Sequence, residues 1–190
     1  MKQGDKTRLR IINTANQLFY EQGYHSTAMS DIVDKTQLSK GNINYHFKNK
    51  QGILEAVINS RIHDIIEHLK QWERNTIDPR ERLTLFCKML LNEQDNLMHY
   101  GCPMGTLTEE FSKNQPVLYQ ITLPMFQCYR DWLKQQFMML DFSARSADEK
   151  AMSLLARVQG IAVLTHAFKD KDFLNREILN LIQEINKPGK

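Results

Sequence analysis

An all-α fold follows from three features of the chain. Apolar residues recur at helical spacing in most segments, capping residues punctuate those segments, and only eight Gly and five Pro interrupt 190 residues. Together they predict about nine helices and no strand, with three short helices ahead of six that hold most of the mass. Hydrophobic residues make up 42% of the chain, enough to bury a core. No unbroken apolar run approaches the ~18 residues of a membrane span. No apolar segment follows Met1-Lys2-Gln3-Gly4-Asp5, so no secretory signal is read there. The expectation is a cytoplasmic protein with no membrane partner. Cys87, Cys102 and Cys128 are odd in number and widely spaced. Neither a disulfide framework nor a zinc site is expected from them, and no cofactor is called for.

Leu9, Ile12, Ala15, Leu18 and Phe19 mark a first helix over 6–22, with Gly23 just past its end. Met29, Ile32 and Val33 mark a short second helix over 28–35, with Thr27 as its N-cap. Gln37-Leu38 turns the chain, and Ser39 caps a third short helix through Phe47. Asn49 caps a long fourth helix whose stripe is Leu54, Ile58, Ile62, Ile65, Leu69 and Trp72. Asp78, Pro79 and Glu81 open a helix running to about 99. A short helix follows Gly101-Cys102-Pro103, and a long one opens at Pro116, with Pro124 expected to kink or split it. Ser146-Ala147-Asp148-Glu149 reads as a capping box for a helix through Phe168, and a last helix covers 172–186.

Charge is uneven along the chain. Residues 1–50 hold eight Lys and Arg against four acids, whereas the remainder holds seventeen against eighteen. The basic end is the one that contains two short helices joined by a tight turn, the arrangement that sets one helix into a DNA major groove. Within the third helix Ser39, Lys40, Asn42, Asn44, Tyr45 and His46 are polar or amphipathic, and Ile43 and Phe47 face the core. Lysines at 40, 48 and 50 suit phosphates, and Asn42 and Asn44 suit base edges, adenine above all. Packing is the competing reading for Tyr45, His46 and Phe47.

The run Thr27-Ala28-Met29-Ser30-Asp31-Ile32-Val33, followed by Leu38-Ser39-Lys40-Gly41-Asn42-Ile43-Asn44-Tyr45-His46-Phe47-Lys48-Asn49-Lys50, resembles the DNA-binding signature of the tetracycline-repressor (TetR) family. The resemblance covers about residues 8–58. It implies phosphate contacts at Thr27, Tyr45, His46 and Lys50, and a base-proximal segment at Lys40, Gly41, Asn42 and Asn44. Two departures stand out. Gln37 replaces the usual turn glycine, so the turn must tolerate a bulkier residue. Asn42-Ile43-Asn44 replaces the usual Thr-Leu-Tyr, which bears on the operator sequence. The implied organisation is a helix-turn-helix domain over 1–49 and an effector-binding and dimerisation domain over 50–190, connected by the long helix 50–74. The implied partners are double-stranded operator DNA, a small apolar or aromatic effector, and a second copy of the chain. The implied function is a repressor released from its operator by that effector.

The last two helices suit a homodimer, through Leu154, Leu155, Val158, Ile161, Ala162, Leu164 and Thr165 on one and Leu174, Ile178, Leu181, Ile182 and Ile185 on the other. The same stripes suit an internal core. The effector pocket is expected from Cys102, Met104, Leu107, Phe111, Phe126, Tyr129 and Trp132, with Met125, Phe137 and Met138 nearby. Plain core packing is the alternative for each. Glu109 and Glu110 are read either as contacts to a cationic ligand or as an exposed helix face. Cys102, between Gly101 and Pro103, suggests a thiol-based redox or electrophile sensor as an alternative mode of regulation, against a buried small residue in a turn. A helical ligand-binding protein without operator binding is a further alternative. No nucleophile elbow, phosphate loop or carboxylate pair is legible, so an enzyme is not expected.

Overall fold

The computed structural model describes residues 2–187. They form α1 (Gln3–Gln22), α2 (Met29–Thr36), α3 (Lys40–His46), α4 (Lys50–Asn75), α5 (Pro79–Asn92), α6 (Gln94–Tyr100), α7 (Gly105–Ser112), α8 (Pro116–Met138), α9 (Ala144–Phe168) and α10 (Lys171–Ile185), with no strand among the described residues. The all-α expectation holds. The helix count rises by one because Glu93 (φ −107°, ψ 16°) closes α5 and opens α6, where the pattern suggested a single helix.

The chain divides into two compact units: one holds residues up to Asp64 together with Thr106–Met125, the other Ile65–Gly105 together with the residues from Phe126 onward. These compact units divide the chain differently from the expected functional boundary between residues 49 and 50. α7 and the start of α8 join the N-terminal helices, a pairing of segments far apart in sequence that local patterns do not report.

In the first unit, α1 buries Ile11, Ile12, Ala15, Leu18 and Phe19, whereas Leu9 is largely exposed. Gly23 ends the helix at φ 85°, a conformation open to glycine at little cost. Thr27 does not cap α2. It is buried and its hydroxyl donates to the Gly23 carbonyl at 2.7 Å, while Asp31 reaches back to accept from the Ala28 N–H at 2.7 Å. Gln37 carries the turn at φ 54°, ψ 29°, so the missing glycine is replaced by a strained left-handed residue rather than by a different turn. Ser39 Oγ accepts from the Asn42 N–H at 3.2 Å and caps α3. Asn49 Oδ1 accepts from the Gly52 N–H at 2.9 Å over the first turn of α4. Arg61 Nε, on α4, donates to Asn16 Oδ1 on α1 at 2.7 Å.

In the second unit, Asp78 caps α5 by accepting from the Arg80 N–H at 2.8 Å, with Pro79 in the first helical position. The Glu81 carboxylate is taken by the Thr76 hydroxyl rather than by a capping box. α8 continues through Pro124 as one helix. α9 starts two residues ahead of the expected box, capped by Ser143, and Glu149 instead pairs with Arg145 at 3.0 Å. Arg130 on α8 grips Asp148 on α9 through two bonds, of 3.0 and 2.7 Å, which hold that carboxyl below the usual aspartate range.

α9 is long and apolar enough, by length and composition, to cross a membrane (mean hydropathy 1.3). It holds no unbroken apolar run of that length, because Ser153, Arg157, Gln159, Thr165 and His166 interrupt its apolar residues. Eight of its residues are buried inside the unit, where it packs on α5, α6 and α10. Those eight include Leu154, Leu155, Val158, Ile161, Ala162 and Thr165, and Leu174, Ile178 and Leu181 of α10 are buried too. Most of the expected dimer stripe is therefore subunit core. The apolar side chains that α9 and α10 leave exposed are Met152, Val163, Leu164, Phe168 and Leu179.

Candidate nucleic-acid interface

α3 is seven residues long and buries only Ile43. Its remaining surface is chemistry without packing. Lys40, Gly41, Asn42, Asn44 and Tyr45 are exposed, and His46 is half-buried against Tyr45, with ring centroids 5.1 Å apart. Tyr45 is 80% exposed, an unusual cost for a ring of that size. Lys40 and Lys48 make no ion pair among the described residues. A groove of about 580 Å³ runs beside the helix, lined among others by Met29, Val33, Lys40, Asn44 and Lys48. Phe47 is buried, and the guanidinium of Arg8 lies 5.0 Å from its ring centre. Asn42 and Asn44, the two residues expected at base edges, both point outward.

Two residues expected at phosphates are occupied elsewhere. Thr27 is buried, as described. Lys50 Nζ donates to the carbonyls of Tyr24 and Thr27, both at 2.8 Å, and sits 4.3 Å from the centre of the Tyr24 ring. Burial lowers the Lys50 pKa, against the raising effect of Glu110 and Asp31. Lysine at the first position of a helix opposes the helix dipole, and that mismatch was the available sequence sign that Lys50 serves something other than α4. Tyr24 is the hub of this support. Its ring meets Phe19 and Phe111 edge-on, each at 5.2 Å, and burial, then Glu110 and Glu55, raise its pKa.

Residues 11–57 match the family model described as bacterial regulatory proteins, tetR family. The chain is 28% identical over 167 residues to the uncharacterized HTH-type transcriptional regulator YxaF of Bacillus subtilis, covering 87% of each chain. Over residues 11–57 the chain is thus similar to TetR-family regulators. A shorter match, 31% identical over 105 residues, joins 54% of the chain to 52% of the HTH-type transcriptional regulator QacR of Staphylococcus aureus. Among solved structures, a TetR transcriptional regulator from Chloroflexus aurantiacus superposes with a TM-score of 0.85 at 23% identity, covering 98% of both chains. One from Legionella pneumophila gives 0.82 at 22%, covering 92% of this chain and 94% of that one. These structural likenesses show the TetR-family fold.

The residues expected around an effector fall in different units of the chain. Leu107 and Phe111 are core residues of the first unit, where Phe111 packs on Tyr24 and His25. Cys102, Met104, Tyr129 and Trp132 are buried in the second unit, and Phe126 is half-buried there. Trp132 Nε1 donates to Glu73 at 2.8 Å, and its ring centroid lies 5.6 Å from that of Trp72. The Tyr129 hydroxyl donates to Met89 Sδ at 3.3 Å, a weak acceptor, and burial raises its pKa strongly. Cys102 is buried, with its sulfur accepting from the Gly105 N–H at 3.5 Å, which leaves little thiol surface for a sensor.

Glu110 is the functional candidate that the sequence patterns did not reveal. Neither expected fate, a cationic ligand or an exposed face, describes it. Its carboxylate accepts from the backbone N–H groups of Tyr24 (3.0 Å) and His25 (2.6 Å).

Proposed function

We propose that the chain is a cytoplasmic transcriptional repressor that reads operator DNA with α3 and lets go when a small apolar or aromatic molecule binds its second unit. The carrying observation is the exposed face of α3. A helix with a single buried side chain gains little from its own packing, so the outward Lys40, Asn42, Asn44 and Tyr45 have a partner to meet. The proposed contacts are Lys40, Lys48, Tyr45 and His46 with phosphates, Asn42 and Asn44 with base edges, and Ser39 and Gly41 at the close approach. Thr27 and Lys50 support the head from inside.

One short recognition helix binds weakly, so two copies are paired to meet half-sites ~34–36 Å apart. The face proposed for that pairing is the exposed set on α9 and α10, namely Met152, Val163, Leu164, Phe168 and Leu179. Gly160 lies among them with open space around its Cβ position, which lets a second backbone come close. For the effector, the support is the cluster of Met and aromatic side chains in the second unit, where the Tyr129 hydroxyl donates to the weak acceptor Met89 Sδ.

The test is a mobility-shift titration on duplex DNA from upstream of the chain's own coding region. Asn44→Ala is expected to relax the preference at one base pair, at a cost of ~1–3 kcal/mol. Lys48→Ala is expected to weaken every sequence alike and to reduce the salt slope by about one. Unchanged binding in both variants overturns the assignment of α3.

A further inference from the structure

We infer that Glu110 is a positioning residue for DNA binding: from α7 it clamps the turn between α1 and α2, and so fixes where α2 and α3 stand. The inference rests on the DNA-binding reading above.

The clamp is built from both sides of one turn. Glu110 Oε2 accepts from the Tyr24 N–H at 3.0 Å and Oε1 from the His25 N–H at 2.6 Å, so each carboxylate oxygen takes one of two successive amides. On the other side the Lys50 ammonium takes the carbonyls of Tyr24 and Thr27. The turn thus presents its donors to an anion and its acceptors to a cation. The neighbour of Glu110 on α7, Phe111, packs on the Tyr24 ring at 5.2 Å and on the His25 ring at 5.9 Å. Room for the carboxylate comes from Gly23, where a Cβ would stand 3.3 Å from Glu110 Oε2 on a backbone already at φ 85°.

The turn has little slack in passing that constraint on. The Thr27 hydroxyl is tied to the Gly23 carbonyl, and Asp31 is tied to the Ala28 N–H, so the residues held by Glu110 lead directly into α2. α2 packs on α1 and on α3. A shift of α7 therefore reaches the recognition helix through a short, hydrogen-bonded path.

Simple electrostatics gives the opposite expectation, and that makes the inference testable. Glu110 places a negative charge in a head that meets a polyanion, so removing it should tighten DNA binding if charge alone mattered. Positioning predicts weaker binding. The experiment uses the full chain, Glu110→Gln and Glu110→Ala, with the upstream duplex titrated across a range of salt. Circular dichroism identifies a temperature at which each variant is folded, and hydrogen exchange is followed at Tyr24 and His25. Glu110→Ala is expected to bind about tenfold more weakly while folded, with an unchanged salt slope and faster exchange at both amides. Glu110→Gln keeps one carbonyl acceptor and should fall between Glu110→Ala and the wild type. A residue that only adds stability would lower the melting temperature and leave the affinity of folded protein alone. Should Glu110→Ala fail to fold, Glu110→Gln decides the matter. A folded variant that binds as tightly as the wild type, or more tightly, overturns the inference alone. A wild type that ignores the duplex overturns the DNA-binding reading, and this inference with it.

Discussion

α3 and α9 both leave a face to solvent, and the two faces are chemically opposite. α3 shows Lys40, Asn42, Asn44 and Tyr45 around one buried residue. α9 shows Met152, Val163, Leu164 and Phe168 on a helix whose other side buries eight residues. α9 is held by its own core and has apolar surface to spare. α3 has almost no core of its own and depends on Ile43, on the cap at Ser39 and on the turns around it. Each uncovered face describes what should cover it: polar donors and cations suit a charged groove, and a smooth apolar strip with a glycine suits another helix.

The largest expected effect breaks the α9 side. Val163→Asp would bury a carboxylate in the proposed pairing face, costing about 4 kcal/mol or more, roughly a thousandfold in association. Sedimentation at micromolar concentration should then find monomer. A dimer as strong as the wild type would place the pairing surface elsewhere. On the α3 side, Ile43→Ala removes the one internal anchor and should lower unfolding stability by about 2–5 kcal/mol, read from denaturant melts. If its cost stays below about 1 kcal/mol, the description of α3 as a helix resting on a single side chain is wrong.

Lys50→Met sharpens the contrast between residues that touch DNA and residues that hold the head together. Two carbonyls lose a charged donor, so stability should drop by about 2 kcal/mol, while the salt slope of binding stays as in the wild type. A slope reduced by about one would return Lys50 to the phosphates. The smallest effect concerns the turn that aims α3. Gln37→Gly relieves a left-handed residue at a cost in chain flexibility and should stabilise the head by about 0.5 kcal/mol. A loss instead would show that the Gln37 side-chain bond to the Asp34 carbonyl, at 2.6 Å, outweighs the backbone strain.

Helix positions were legible in the sequence because capping is local. Ser39, Asn49, Asp78 and Pro79 act where the pattern put them, and Asn42 and Asn44 face outward as the amphipathic reading required. Several roles were not legible because they depend on what the other end of a contact does. Lys50 reads as a free cation until two carbonyls, 23 and 26 residues back, are seen to hold it. Glu110 reads as surface until amides 85 and 86 residues away turn out to face it. The stripes of α9 and α10 had two valid destinations, core or second subunit, and periodicity alone does not choose between them.

Both tryptophans, Trp72 and Trp132, lie in the second unit, with ring centroids 5.6 Å apart. Intrinsic indole emission therefore reports on that half of the molecule and is silent about the helix-turn-helix. A melt followed by fluorescence could look complete and unperturbed while the head frays. An indole introduced at the exposed Tyr45 would give the head an optical signal of its own.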